Sequence, residues 1–104
     1  MGRSTMPVRN NGDSDLCLFI EPLGEDFWLK PGEAFIVGAR CDGMDVWFDA
    51  TLWKGGISVW LYEDGNPTKV VLDYAVVDAN GKQLDCGHQR PADDRWSPAG
   101  PVMH

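Results

Sequence analysis

The stretch from Leu16 to Val37 constrains this chain more than any other. It sets three short apolar runs, Leu16 to Glu21, Phe27 to Leu29 and Ala34 to Val37, around two turn sequences, Glu21-Pro22-Leu23-Gly24 and Lys30-Pro31-Gly32-Glu33. Short runs rich in aromatic and aliphatic residues, bounded by Pro and Gly, read as β-strands. In Leu16 to Glu21 both alternating faces are largely apolar, which predicts a strand covered on both sides. Pro22 followed by Gly24 fits positions i+1 and i+3 of a type I turn, and Pro31-Gly32 fits i+1 and i+2 of a type II turn. The twist of a type II turn opposes that of a tight hairpin, so Pro31-Gly32 is expected to carry the chain from one sheet to another.

The flanking sequence extends the pattern. Pro7-Val8-Arg9 suits an edge strand, where a missing N–H is tolerated, and Asn10 to Asp15 is expected to turn the chain back into Leu16 as a hairpin. Ala34 to Ala39 forms a strand that Arg40-Cys41-Asp42-Gly43 ends. From Asp45 to Leu52 the residues Val46, Phe48, Ala50 and Leu52 alternate with Asp45, Trp47, Asp49 and Thr51, and from Ile57 to Glu63 the residues Ile57, Val59 and Leu61 alternate with Ser58, Trp60 and Tyr62. Each strand should therefore bury one face. Lys69 to Val77 reads as one long, mostly buried strand. Asp78-Ala79-Asn80-Gly81 then closes either a type I′ hairpin or a type I turn with Gly81 in a left-handed bulge position, with Lys82 to Leu84 returning. No long segment keeps a helical apolar period free of Gly and Pro. The expected fold is all-β, a single antiparallel β-sandwich or flattened barrel of about 7–8 short strands. It spans residues 1–90, with an irregular C-terminal tail over 91–104, in which Trp96 would anchor to the body or to a neighbouring subunit.

At Asn10-Asn11-Gly12, Glu21-Pro22-Leu23-Gly24 and Pro31-Gly32-Glu33 the chain resembles short bacterial β-proteins that carry a strand, a Glu-Pro-x-Gly turn, an aromatic strand and a Pro-Gly-Glu turn. The resemblance covers about the first third of the sequence; it implies a β-sandwich and no particular activity. A Cys-Trp-Cys spacing is missing, which argues against a true immunoglobulin domain.

Composition narrows the classes of function. At 104 residues the chain suits one domain, and 43% apolar residues with five Trp supply material for a core. A formal charge of −7 disfavours attraction to phosphate backbones and anionic membrane surfaces, so no direct nucleic-acid and no membrane partner is expected. Met1 to Asn11 is polar and the apolar runs fall far short of the ~20 residues that cross a bilayer, which predicts a cytoplasmic protein. Cys17, Cys41 and Cys86 contain no Cys-x-x-Cys arrangement; Cys17 reads as a buried small hydrophobe, and a Cys41–Cys86 pair is left open.

No chemical motif stands out. Cys86-Gly87-His88 pairs a thiol with an imidazole, but a cupredoxin-type copper site needs a second histidine from an earlier strand and tetrahedral zinc needs four converging ligands, so no metal and no cofactor is expected. No catalytic residue is assigned, and the chain reads as a non-enzyme. The residues that gather chemistry are Trp47, Asp49, Trp60, Tyr62 and Asp73, which share an outward face if consecutive strands pair, together with Trp96. Aromatic groups with polar neighbours make a binding surface. The expected role is an interaction module for a protein partner or for a second copy as a homodimer. The alternatives are a carbohydrate or small-ligand domain and an acidic decoy for a nucleic-acid-binding protein.

Overall fold

A computed structural model describes residues 4–92. Seven strands follow one another: β1 (Thr5–Arg9), β2 (Leu16–Ile20), β3 (Glu25–Leu29), β4 (Ala34–Ala39), β5 (Val46–Trp53), β6 (Gly56–Glu63) and β7 (Tyr74–Asp78). They form a three-stranded sheet in the order β1-β4-β7 and a four-stranded sheet in the order β3-β2-β6-β5, so the molecule is an open sandwich rather than a closed barrel. None of the described residues forms a helix long and apolar enough to cross a membrane.

Alternation dictates which side chains meet between the sheets. Leu18 and Ile20 of β2, Phe27 and Leu29 of β3, and Val59 and Leu61 of β6 face Val8 of β1, Phe35, Val37 and Ala39 of β4, and Tyr74 and Val76 of β7, all buried in one core. Such a core supplies the main favourable term in folding, roughly 25 cal/mol for each Å² of apolar surface withdrawn from water. Three strands do not back four over their whole length. Leu52, on the inward-facing side of β5, is consequently 80% exposed.

The turns decide the topology. Gly32 has φ +87 and the Glu33 N–H donates to Lys30 O at 3.0 Å, as a type II turn requires, and it leads from β3 in one sheet to β4 in the other. The segment after β1 also changes sheets, where the sequence suggested a hairpin. The reason is Asn10, only 4% exposed: its Nδ2 donates to Ser14 O at 2.8 Å and to Leu29 O at 3.0 Å, and its Oδ1 accepts the Gly12 N–H. Its backbone pairs with the second turn, through Asn10 N–H to Glu33 O and Gly32 N–H to Asn10 O. The two sheet changes are thus tied to each other. β2 and β3 do form a hairpin, but its loop closes by Gly24 N–H to Ile20 O at 2.9 Å, with a cis peptide at Glu21-Pro22, instead of the type I turn read from the sequence.

β6 returns to the four-stranded sheet alongside β2 and runs parallel to it, the one parallel strand pair among the described residues. β2 reaches only as far as Val59 of β6, and the side of β6 beyond it is taken by residues 69–71, through Glu63 N–H to Lys69 O and Val71 N–H to Leu61 O. The run Lys69 to Val77 is therefore split between two sheets: its first part borders β6 and its second, β7, pairs with β4. After β7, Gly81 takes φ +82 while Asp78 N–H donates to Lys82 O, which is the bulged turn of the two alternatives. The residues that follow pack onto the body as far as Arg90. Leu84 N–H donates to Val76 O beside β7, and then Gly87 N–H donates to Asp26 O and Trp28 N–H to His88 O beside β3. This segment is a strap from the edge of one sheet to the edge of the other.

Candidate functional site

The outer face of the four-stranded sheet is built from the residues that point away from the core, and the strand registers lay them out in rows. Trp28, Cys17, Gly56 and Trp53 lie side by side; Asp26, Phe19, Ser58 and Thr51 form the next row; Trp60 lies opposite Asp49, and Tyr62 opposite Trp47. Six aromatic side chains therefore share this face. Trp60 and Tyr62 stack with ring centroids 6.0 Å apart and planes within 10°, an arrangement the i, i+2 spacing on one strand allows.

Two glycines fix the tryptophans. A Cβ on Gly65, which has φ +72, would come within 2.7 Å of the Trp47 ring, so the indole lies flat over that turn while 61% of the residue remains exposed. Trp53 lies across Gly56 in the same way and donates its Nε1–H to Ser58 Oγ at 2.9 Å. The sequence alternation singles out neither Gly56 nor Trp53. The position of Trp53 follows from the β5–β6 register, which sets it opposite Gly56.

Of the residues singled out from the sequence, Trp47, Asp49, Trp60 and Tyr62 come together as cross-strand neighbours. Asp73 does not join them. It sits where the chain passes between sheets, 3.0 Å from the Arg40 guanidinium, and borders a cleft of about 540 Å³ lined also by Cys41, Met44 and Leu72. Trp96 lies outside the described residues.

Sequence reasoning missed a second cluster on the β3 side of the same face. Asp26 is 2% exposed, yet its carboxylate is saturated with donors: Arg90 Nε at 2.7 Å and Nη2 in a two-pronged grip, Trp28 Nε1–H at 2.8 Å, and the Cys86 thiol at 3.6 Å. Burial alone would raise its pKa. The Arg90 hydrogen bonds and charge, with the Trp28 indole, outweigh burial and hold the carboxyl below the usual range. The only sequence signal was a carboxylate, Asp26, alternating with two core residues, Phe27 and Leu29.

Two of the thiols, Cys17 and Cys86, are held toward the protonated form. Burial, reinforced by the Asp26 charge, pushes Cys17 up to about 12, and burial with the same carboxylate raises Cys86. All three cysteines are free, and Cys41 and Cys86 are exposed. His88 is spent on packing, with its ring edge-on to Phe35 at 5.6 Å. Among the described residues no group of three His, Cys, Asp or Glu side chains converges as a metal ion would require. On the inner side of the strap, Tyr74 donates its hydroxyl to Glu25, and burial followed by that carboxylate raises the phenol's pKa. Comparison with protein-family models, with curated proteins and with solved structures finds no match.

Proposed function

We propose that this protein is a non-enzymatic interaction module that engages another protein chain along the β5 edge and the aromatic face beside it. One contrast carries the reading: how the four sheet edges are treated. A bare edge strand invites pairing with another chain, and proteins ordinarily blunt it with proline, charge or a covering segment. β1 carries Pro7 and Arg9. β7 is covered at Val76 and Asp78 by the strap, and β3 is covered at Asp26 and Trp28 by its continuation. β5 differs. Its first N–H, at Val46, is taken by Ser4 Oγ at 3.1 Å, but from Trp47 to Trp53 it pairs on one side only among the described residues, carries no proline, and has Asp49 as its one charged side chain.

The side chains along that edge support the same reading. Trp47 and Leu52 are exposed apolar groups at the two ends of the strand, with Asp49 and Thr51 as hydrogen-bonding groups between them. Edge pairing draws affinity from main-chain hydrogen bonds and specificity from alternate side chains, which this strand offers. The test is panning of a displayed random-peptide library on the whole protein, with Trp47→Ala and Leu52→Lys as counter-selectors. Enrichment of extended, β-branched or aromatic peptides that both substitutions weaken is the expected result. Enrichment indifferent to both substitutions, or none from a protein that light scattering shows to be monomeric, would sink the reading.

The near-parallel Trp60 and Tyr62 rings support a second reading, a carbohydrate platform completed by Trp47 and Asp49. Tryptophan fluorescence across a glycan panel separates the two, because a sugar on this face changes emission in the absence of any peptide.

A further inference from the structure

We infer that the chain taken up by the β5 edge is a second copy of this protein, paired antiparallel about a two-fold axis through Ala50. The inference rests on the reading of β5 as a contact edge and is carried by the register arithmetic of that strand. In a two-fold antiparallel pair a residue on the axis faces its own equivalent, and shifting the pairing by a single residue would set outward side chains against inward ones. Only registers centred on a residue are allowed, and the strand's side chains discriminate among them.

With Ala50 on the axis, Asp49 lies opposite Thr51 of the second copy, Phe48 opposite Leu52, and Trp47 opposite Trp53. Each of these matches is favourable: carboxylate with hydroxyl, aromatic with aliphatic, indole with indole. The Phe48 pairing also covers Leu52, which is 80% exposed on the part of the inner face that the three-stranded sheet leaves open. Lys54 comes opposite Val46, one residue from the acidic side chain of Asp45. Moving the axis to Asp49 sets two carboxylates directly against each other, which is repulsive. Moving it to Thr51 sets Phe48 against Lys54 and Asp49 against Trp53. Ala50 is also exposed and small, so two copies of β5 can approach at the axis without displacing a side chain. The product is a continuous eight-stranded sheet with both aromatic faces on one side.

The experiment scans single cysteines through the edge in a Cys41→Ser, Cys86→Ser background that keeps the buried Cys17. Cα atoms directly opposite in an antiparallel pair are about 4.5–5.5 Å apart, within disulfide reach. Mild oxidation is expected to cross-link Ala50→Cys into a dimer and to leave Asp49→Cys and Thr51→Cys largely monomeric. The parent protein should show twice the chain mass by light scattering, and Leu52→Lys should weaken the dimer by about tenfold or more. Cross-linking through Asp49→Cys or Thr51→Cys in preference to Ala50→Cys would overturn the register. A monomer at all concentrations would overturn the self-pairing, and if β5-dependent peptide capture persisted in that monomer, the interaction-module reading would survive while this inference fell.

Discussion

Removing the Arg90 guanidinium tests the outer-face cluster most severely. Arg90→Met keeps a long apolar stem but withdraws both nitrogens from a carboxylate that is 2% exposed. Stripping one partner from a buried ion pair costs roughly 3–5 kcal/mol, because the remaining charge is neither solvated nor paired. Two features place this case at the lower end. The Arg90 side chain is 37% exposed, so water already screens part of the attraction, and the Trp28 indole still donates to Asp26 after the substitution. A loss of about 3 kcal/mol near neutral pH is expected. The pH dependence carries the sign. In the parent protein the Asp26 pKa is depressed, so its contribution is present above the unfolded carboxyl value of about 3.9 and is lost as the pH falls through the lower folded value. In Arg90→Met burial dominates and the folded pKa rises, so the variant is penalised progressively as the pH climbs above about 4. The gap between parent and variant must therefore be widest near neutrality and close in acid. Urea unfolding followed by tryptophan fluorescence at several pH values measures it, and Asp26→Asn added to Arg90→Met should recover part of the loss at neutral pH. A gap that stays constant from acid to neutral pH would refute the electrostatic argument and leave only lost packing.

Gly56→Ala should cost about 1–3 kcal/mol, since its new Cβ would meet the Trp53 ring and lie 2.8 Å from the Cys17 carbonyl oxygen; because that second contact is backbone, trimming Trp53 to Ala should not rescue it in urea unfolding. Asn10→Ala should cost about 2 kcal/mol by the same measurement, because it strips the buried side-chain donor from the Leu29 carbonyl and unties the two sheet changes. Alkylation of the native protein at mildly alkaline pH, followed by peptide mass spectrometry, should modify exposed Cys41 ahead of Cys86 and leave Cys17 unmodified until urea unfolds the chain; labelled Cys17 in folded protein would contradict the burial that raises it.

Particular residues show why some of this was legible. The alternation in β5 and β6 is local, with a period of two, so the outward grouping of Trp47, Asp49, Trp60 and Tyr62 could be read without knowing the sheet they belong to. The Pro31-Gly32 turn was legible for the same reason, since a type II turn specifies its own geometry and forbids a tight hairpin. Asp73 lies apart from that group because apolar alternation continues unbroken through Lys69 to Val77 while the chain changes sheets beneath it, and period-two patterning does not encode which sheet a strand joins. Asn10 was read as a turn residue, which it is, but its amide also reaches Leu29, nineteen positions away.

Turn chemistry and the two-residue repeat of an extended backbone made it legible that this chain is all-β, where most of its strands begin and end, and which side of β5 and β6 would carry the aromatics, and left a sandwich and a flattened barrel as alternatives. Contacts between distant segments settled the open sandwich, the parallel run of β2 and β6, the segment ending at Arg90 that straps the two sheets, and the burial of Asp26 in a guanidinium grip. Arg90 lies 64 residues from Asp26 in the chain. Nothing local couples them. The pairing exists because closing the core brings the strap against β3, and a carboxylate withdrawn from water there requires a partner.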